Sequence, residues 1–323
     1  MTAGAEAAGK IGPEGSPRRG VARGGRADLD LYLLLALPLA FLLVFRYVPL
    51  YGISIAFKDF NLFTGRDAFD SIVKSPWVGL ANFRRVFGTP DFLQVLLNTV
   101  IISFYKIAFL FPIPILVAVL LNEVRIVPFK KAVQTVIYLP HFLSWVIVGG
   151  MFLGILGIDG VVNRAVTALG GRPVRFFMDA SVFRGLLVFT SGWKETGWST
   201  ILYLAAITSI DTQLYEAAEM DGAGRFRQAL HVTVPGILNI VVFLLILRIG
   251  NLLSADFDQI LVLYNPLVYK VADVIPTYVY RIGLGQMDFV TGTAVGLFNS
   301  VVSFTFILSA NFLSKRLVGR SIW

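Results

Sequence analysis

Four charged side chains stand inside stretches that are otherwise apolar: Lys106, Lys194, Glu195 and Arg248. A charge at the centre of a bilayer span costs about 2.5–3.5 kcal/mol on insertion scales, so such groups face a bundle interior or a wet cavity. There they pair with one another or with a polar solute. Three cations against one acid leave a positive surplus, which an anionic ligand would offset and a neutral one would not. A fifth charge, Arg46, lies near enough to the end of its apolar run to snorkel.

Other chemistry is poorly supplied. The two histidines, His141 and His231, come with no H-E-x-x-H pattern and no paired carboxylates, which argues against a membrane-embedded hydrolase. His141 reads as packed or capping beside Pro140. Absence of cysteine removes disulfides, thiolate metal sites and a thiol nucleophile. No G-x-x-x-x-G-K-[ST] pattern occurs, so any ATP and Mg must be bound by another subunit; no cofactor is expected in this chain. No pore-loop filter is visible, and no basic groove interleaved with aromatics points to nucleic acid.

The elements that must position these charges are long apolar runs. The chain is 56% apolar and 13% aromatic, with net charge +8 and mean hydropathy +0.74, the composition of a polytopic membrane protein. Residues 1–29, rich in Gly, Ala and Arg, read as a disordered cytoplasmic tail. The rest, 30–323, reads as one domain of six spans: 31–57, 96–121, 135–156, 185–207, 236–263 and 290–313. The first run is long enough to cross a bilayer and lacks a cleavage site, so it is read as a retained span. Pro140 with Gly149, Gly150 and Gly154 should make the third span kinkable or closely packed. Both termini are expected in the cytoplasm, an orientation that Arg125, Lys130 and Lys131 between spans two and three support.

Between spans four and five lies the longest water-exposed helical stretch after the tail, within a loop over 208–236. Asp211 can cap a helix whose body is Thr212 to Met220, and Gly222 suits the left-handed position that closes it. Ala223, Phe226, Leu230 and Val234 then recur at helical spacing until Pro235 is expected to break the run.

Glu216, Ala217 and Ala218, Gly222 after three intervening residues, and Pro235 resemble the EAA loop of permease subunits in binding-protein-dependent ABC importers. That pattern is E-A-A, three residues, G, nine residues, I-x-L-P; Val232 and Val234 stand for its Ile and Leu. YVPLYGISIAFKDFN (47–61), WVGLANF (77–83), YLPHFLSW (138–145) and the stretch from Tyr264 to Arg281 resemble the maltose-permease-like branch that imports complex oligosaccharides and polysaccharide fragments, alginate importers among them. The resemblance implies an all-α polytopic protein of the type I ABC importer permease fold. It also implies a cytoplasmic coupling helix, a second permease in a heterodimer, two copies of a cytoplasmic ATPase and an extracytoplasmic solute-binding protein, in the bacterial inner membrane.

By the same resemblance, Glu216, Ala217, Ala218, Asp221, Gly222 and Pro235 belong to the ATPase-coupling loop, with Glu216 and Asp221 meeting basic residues of the ATPase. In such importers the ligand is held mid-membrane by the spans flanking this loop. Spacing from Glu216 places that site at Gly192 to Trp198 and Arg248 to Asn251. Arg248 lies thirteen residues past Pro235 and Lys194 thirteen before Ile207, so both stand about 20 Å from the loop. Trp193 and Trp198 would stack on sugar faces, and Lys194, Arg248 and Asn251 would donate hydrogen bonds, with Lys106 adding a further cation to the path. The competing arrangement is an internal cluster of Lys194, Glu195 and Arg248 that only locks two spans together. Alginate-like uronates are the leading substrate class, with neutral oligosaccharides as the alternative.

Overall fold

The computed structural model describes residues 26–253 and 256–319. Among them there is no β-strand, only an isolated antiparallel bridge between Lys58 and Trp77. The chain divides into two compact units, Met1–Tyr51 and Gly52–Trp323. In the first, α1 (Arg26–Leu42) continues through a wide turn at Leu43–Tyr47. A tight helical stretch, Val48–Phe57, extends it. The expected tail falls largely outside the described residues, and helix is already present at Arg26.

The second unit opens with two short helices, α2 (Ala68–Lys74) and α3 (Ala81–Phe87). Asn82 donates to the carbonyls of Ala56 (3.0 Å) and Lys58 (2.9 Å), and Phe57 stacks on Trp77 at 5.3 Å. The FKDFN and WVGLANF segments thus hold each other. α4 (Pro90–Tyr105), a wide turn at Lys106–Leu110 and α5 (Pro112–Glu123) follow as one 34-residue span. Next come α6 (Val127–Tyr138), α7 (Trp145–Leu156), α8 (Val161–Ala168) and the 29-residue α9 (Ala180–Thr208). The loop contains α10 (Thr212–Met220), α11 (Arg225–Gln228) and α12 (Val234–Gly236). The remainder is α13 (Leu238–Gly250), α14 (Phe257–Leu263), α15 (Tyr269–Ala272), α16 (Ile275–Tyr278) and α17 (Phe289–Val318).

Four helical stretches among the described residues are long and apolar enough to cross a membrane: Leu31–Phe57, Pro90–Glu123, Trp145–Ala168 and Phe289–Arg316. A bent pair, Arg225–Gly236 with Leu238–Gly250 at 58°, makes five. α9 is long enough but too polar to count by composition, because Lys194, Glu195 and several Ser, Thr and Gly residues dilute its apolar run.

Two expected spans differ from their reading. The third is broken, not merely kinked: α6 ends at Tyr138, a tight turn covers Leu139–Phe142, Leu143 is extended, and α7 restarts at Trp145. Pro140 has no N–H to continue the ladder, and Ser144 Oγ caps the restart by accepting from Ile147 N at 3.3 Å. Gly149 packs closely on Val262, while Gly150 and Gly154 face open space. The fifth is broken as well, since α13 stops at Gly250 and α14 begins only at Phe257.

In lipid, backbone groups at such breaks find no water, so side chains must satisfy them. Ser103 donates to the Leu252 carbonyl after α13. Buried Asn98 donates to the carbonyls of Lys270 and Asp273 at 3.1 Å each, and Arg184 donates to Val271 O (3.1 Å) and to Asn98 Oδ1 (2.8 Å). These bonds fix the irregular Tyr264–Arg281 stretch to α4 and α9. Around them, Ile102, Val148, Phe183, Leu187, Ile260 and Val268 form one core, and Ala118, Tyr203, Ile207 and Ile237 another nearer the loop. Since lipid is as apolar as leucine, close fit decides these contacts: a Cβ at Gly197 would collide with the Ile137 carbonyl.

Candidate functional site

α9, the α4–α5 span and α13 enclose two adjoining hollows. The smaller is lined by Lys106, Gly192, Glu195, Thr196, Ser199 and Arg248, among others. The larger, about 290 Å³, is lined by Trp198, Ser199, Leu202, Tyr203, Leu247, Arg248 and Asn251 together with Leu110, Phe111 and Pro114. Arg248, Ser199 and the 110–114 turn border both. Lys106, Gly192, Glu195, Trp198, Arg248 and Asn251 therefore meet on one surface.

Two residues expected there do not join them. Trp193 projects from another side of α9 and meets Phe152 edge-on at 5.4 Å, in an apolar cleft with Tyr105, Phe109 and Pro140. The reason is helical phase: at 100° per residue, Trp193 stands about 140° from Trp198. Lys194 is buried, donating to His141 O at 2.7 Å, pairing with Glu195 Oε1 at 3.2 Å and lying 5.5 Å over the Trp145 ring. It pins the third-span break and does not line either hollow.

The charge pairing also differs from expectation. Lys106 Nζ meets Asp256 Oδ2 at 2.6 Å and donates to Gln259 Oε1. Gln259, fully buried, in turn donates to Leu187 O and Thr190 Oγ1 at 2.7 Å each. Asp256 is thus a second acid, and the surplus read from sequence falls from two positive charges to one. The cluster of Lys194, Glu195 and Arg248 does not form as a triad: His141 Nδ1 takes the third place, 2.8 Å from Glu195 Oε2. Arg248 has no carboxylate within 4.0 Å among the described residues. Asn251 donates its side-chain amide to Leu247 O at 3.0 Å.

The loop helix keeps the expected bounds. Asp211 Oδ1 accepts from Gln213 N at 2.9 Å, and Gly222 closes α10 at φ +74° while Ala223 N reaches back to Ala218 O at 2.9 Å. Glu216, Ala217, Asp221 and Pro235 are exposed and Ala218 is half-buried. Tyr215 OH bonds to buried Thr233 Oγ1 at 2.9 Å, joining the two arms of the elbow. Pro235 does not break the helix where expected. A wide turn at Ala229–Thr233 absorbs its missing N–H, and the chain bends one residue after Gly236, at Ile237.

From residue 93 to residue 320 the sequence matches the family described as binding-protein-dependent transport system inner membrane component. The chain belongs to this family. It is 46% identical over 287 residues to the polygalacturonan/rhamnogalacturonan transport system permease protein YteP of Bacillus subtilis (strain 168), covering 88% of each chain. It is 44% identical to protein LplB of the same organism, covering 90% of each. Among solved structures it resembles a chain of a bacterial ABC transporter involved in import of the acidic polysaccharide alginate, with TM-score 0.83, 38% identity, and coverage of 90% of this chain and 97% of that one. A bacterial alginate ABC transporter in complex with alginate pentasaccharide-bound periplasmic protein matches with TM-score 0.83 and 37% identity, covering 92% and 98%. The permease is therefore all α, membrane-embedded and of the type I ABC importer fold.

Sequence reasoning missed Asp256, Gln259 and His141 at this site. A signal for the first two was present: the permease has Asn251, Ser254, Asp256, Asp258 and Gln259 within nine residues of a supposed apolar span, too polar a run to be helix facing lipid. For His141 the signal was the Pro140 break beside it.

Proposed function

We propose that this chain is the permease subunit of an ATP-driven importer that carries acidic oligo- or polysaccharide, rich in uronate, across the bacterial cytoplasmic membrane. Counting α9 as a span brings the total to six, with both termini cytoplasmic. The path is completed by a second permease; two cytoplasmic ATPase copies bind ATP and Mg and take up the Glu216–Asp221 helix, and an extracytoplasmic binding protein delivers the sugar. The chain itself is a transport subunit and not an enzyme.

The observation that carries the substrate class is Arg248, the cation at the wall of both hollows that has no carboxylate within 4.0 Å among the described residues, beside the exposed indole of Trp198 and the amide of Asn251. A guanidinium there suits a sugar carboxylate, bidentate and charge-assisted. Relatives named for polygalacturonan and for the acidic polysaccharide alginate support the same class. A second reading, neutral oligosaccharide, is favoured by the pairing of Lys106 with Asp256 and of Lys194 with Glu195, which leaves only one uncompensated charge.

The test replaces Arg248 by Gln in the assembled importer and compares uptake of a uronate oligomer with that of a neutral oligomer of equal length. The acidic reading expects half-saturation for the uronate to rise about tenfold or more, the worth of a charged hydrogen bond. Wild-type importer that takes up only the neutral oligomer would sink it.

A further inference from the structure

Trp198 borders the larger hollow and keeps 43% of its surface exposed, yet one face of its indole is already covered. The imidazole of His141 lies parallel to it, ring centroids 4.5 Å apart and planes within 5°. Phe142 meets the same indole edge-on at 6.2 Å. The imidazole is itself held from two sides. Its Nδ1 is bonded to Glu195 Oε2 at 2.8 Å, and its backbone carbonyl accepts from Lys194 Nζ at 2.7 Å. Lys194 and Glu195 are joined at 3.2 Å. α9 thus grips one histidine with three residues spaced i, i+1 and i+4, through its carbonyl, its ring nitrogen and its ring face. No other position in the third-span break is held in this way among the described residues.

We propose that His141 is a positioning residue for the transported sugar: it backs the Trp198 indole so that a single fixed face is presented to the hollow, and one pyranose ring packs its C–H face there. This rests on the reading of the hollow as the sugar site. An indole free to rotate would lose that freedom on binding, whereas one clamped by a stacked ring has lost it already. The clamp also has a directional effect. With one face occupied, the sugar is bound on one side and not sandwiched, and it lies toward Arg248 and Asn251, which border the same hollow. Glu195, which borders the smaller hollow, is tied to His141 and Lys194 and is thereby kept from acting as a free anion against an acidic ligand.

The experiment uses the assembled importer with variants W198A, H141A, H141F and the double variant W198A/H141A, and follows uptake of a uronate oligomer across concentration. W198A and H141A are each expected to raise half-saturation roughly two- to tenfold, the worth of one aromatic contact. The change falls on half-saturation and not on maximal rate, H141F recovers most of it by restoring a stacked ring, and the double variant is no worse than W198A. Additive losses in the double variant would show that His141 acts independently of Trp198 and overturn the proposal. So would unchanged half-saturation in H141A alongside a raised value in W198A. An unaffected W198A would instead defeat the sugar-site reading itself. Should H141A fail to assemble, H141N, which keeps a polar partner for Glu195 without a stacking ring, is expected to lose affinity as H141A would; wild-type half-saturation in H141N overturns the proposal.

Discussion

Removing the carboxylate of Asp256 tests how the deep charges are divided between scaffold and site. The Lys106 side chain is 9% exposed and Asp256 41%. Losing one partner of a fully buried pair costs about 3–5 kcal/mol, and losing an exposed pair under about 1 kcal/mol. Asp256 is partly solvated and Gln259 still accepts from Lys106, so D256N should cost about 1–3 kcal/mol, between those limits. K106M should cost less than D256N, because the carboxylate it abandons is 41% exposed while the ammonium that D256N abandons is only 9% exposed. The double variant K106M/D256N removes both charges and should regain most of the loss. Thermal unfolding of the assembled complex in lipid nanodiscs reads these differences. Equal stability of wild type and D256N, or a double variant as unstable as the single, would refute the pairing. A functional arm separates scaffold from ligand contact: K106M should keep the preference between uronate and neutral oligomers that R248Q loses.

Three further outcomes concern the loop and the assembly. Replacing Gly222, at φ +74°, by Val places a β-branched residue in the left-handed region at a cost of about 1–2 kcal/mol; α10 should fray, and ATPase co-purification and uptake should both fall while the spans remain inserted. Normal co-purification and uptake would defeat the coupling reading. Tyr215→Phe removes the hydroxyl that meets Thr233 Oγ1 across the elbow, so ATP hydrolysed per sugar imported should rise with ATPase association intact; an unchanged ratio would show that the bond transmits nothing. This chain reconstituted with an ATPase and no second permease should show no uptake, and uptake there would favour a homodimer.

How much could be read beforehand depended on whether the determining interactions were local. α10 was legible to the residue, since Asp211, the body Thr212–Met220 and Gly222 act through bonds within a few positions of one another. Spans one, two and six were legible from apolar length alone. The breaks in spans three and five were not, because a break inside a bilayer is stable only when distant side chains satisfy it. Ser103 serves Leu252 from 149 residues away, and Lys194 serves His141 from 53. The same holds for the site. Arg248 and Glu195 could be placed at one height by counting helix rise, but which cation kept a partner depended on Asp256, 150 residues from Lys106. Trp193 fell on another side of α9 for a local reason: spacing from Glu216 sets a residue's height on the helix, whereas helical phase sets the side it faces.

The two breaks share one device. One lies at 139–144 and the other between Gly250 and Phe257, and each is fastened by a lysine from a longer helical span: Lys194 of α9 for the first, Lys106 of the α4–α5 span for the second. A lysine suits this task because its apolar stem crosses the packed layer while its ammonium reaches carbonyls and carboxylates that no water could serve. Both lysines are buried, as fasteners should be, whereas Arg248 is exposed to the hollows. Intramembrane charge in this permease is thus divided by accessibility: the buried lysines fasten the broken helices, and the arginine is exposed to the hollows. If the spans swing when the coupling helix moves, the fastened breaks are where the walls of the hollows must either hold or give. The lysine contacts are therefore expected to persist in both conformations, with double-mutant coupling between Lys106 and Asp256 measurable in the nucleotide-free complex and in an ATP-trapped one. Coupling confined to one state would mean that the pair is a latch and not a fastener.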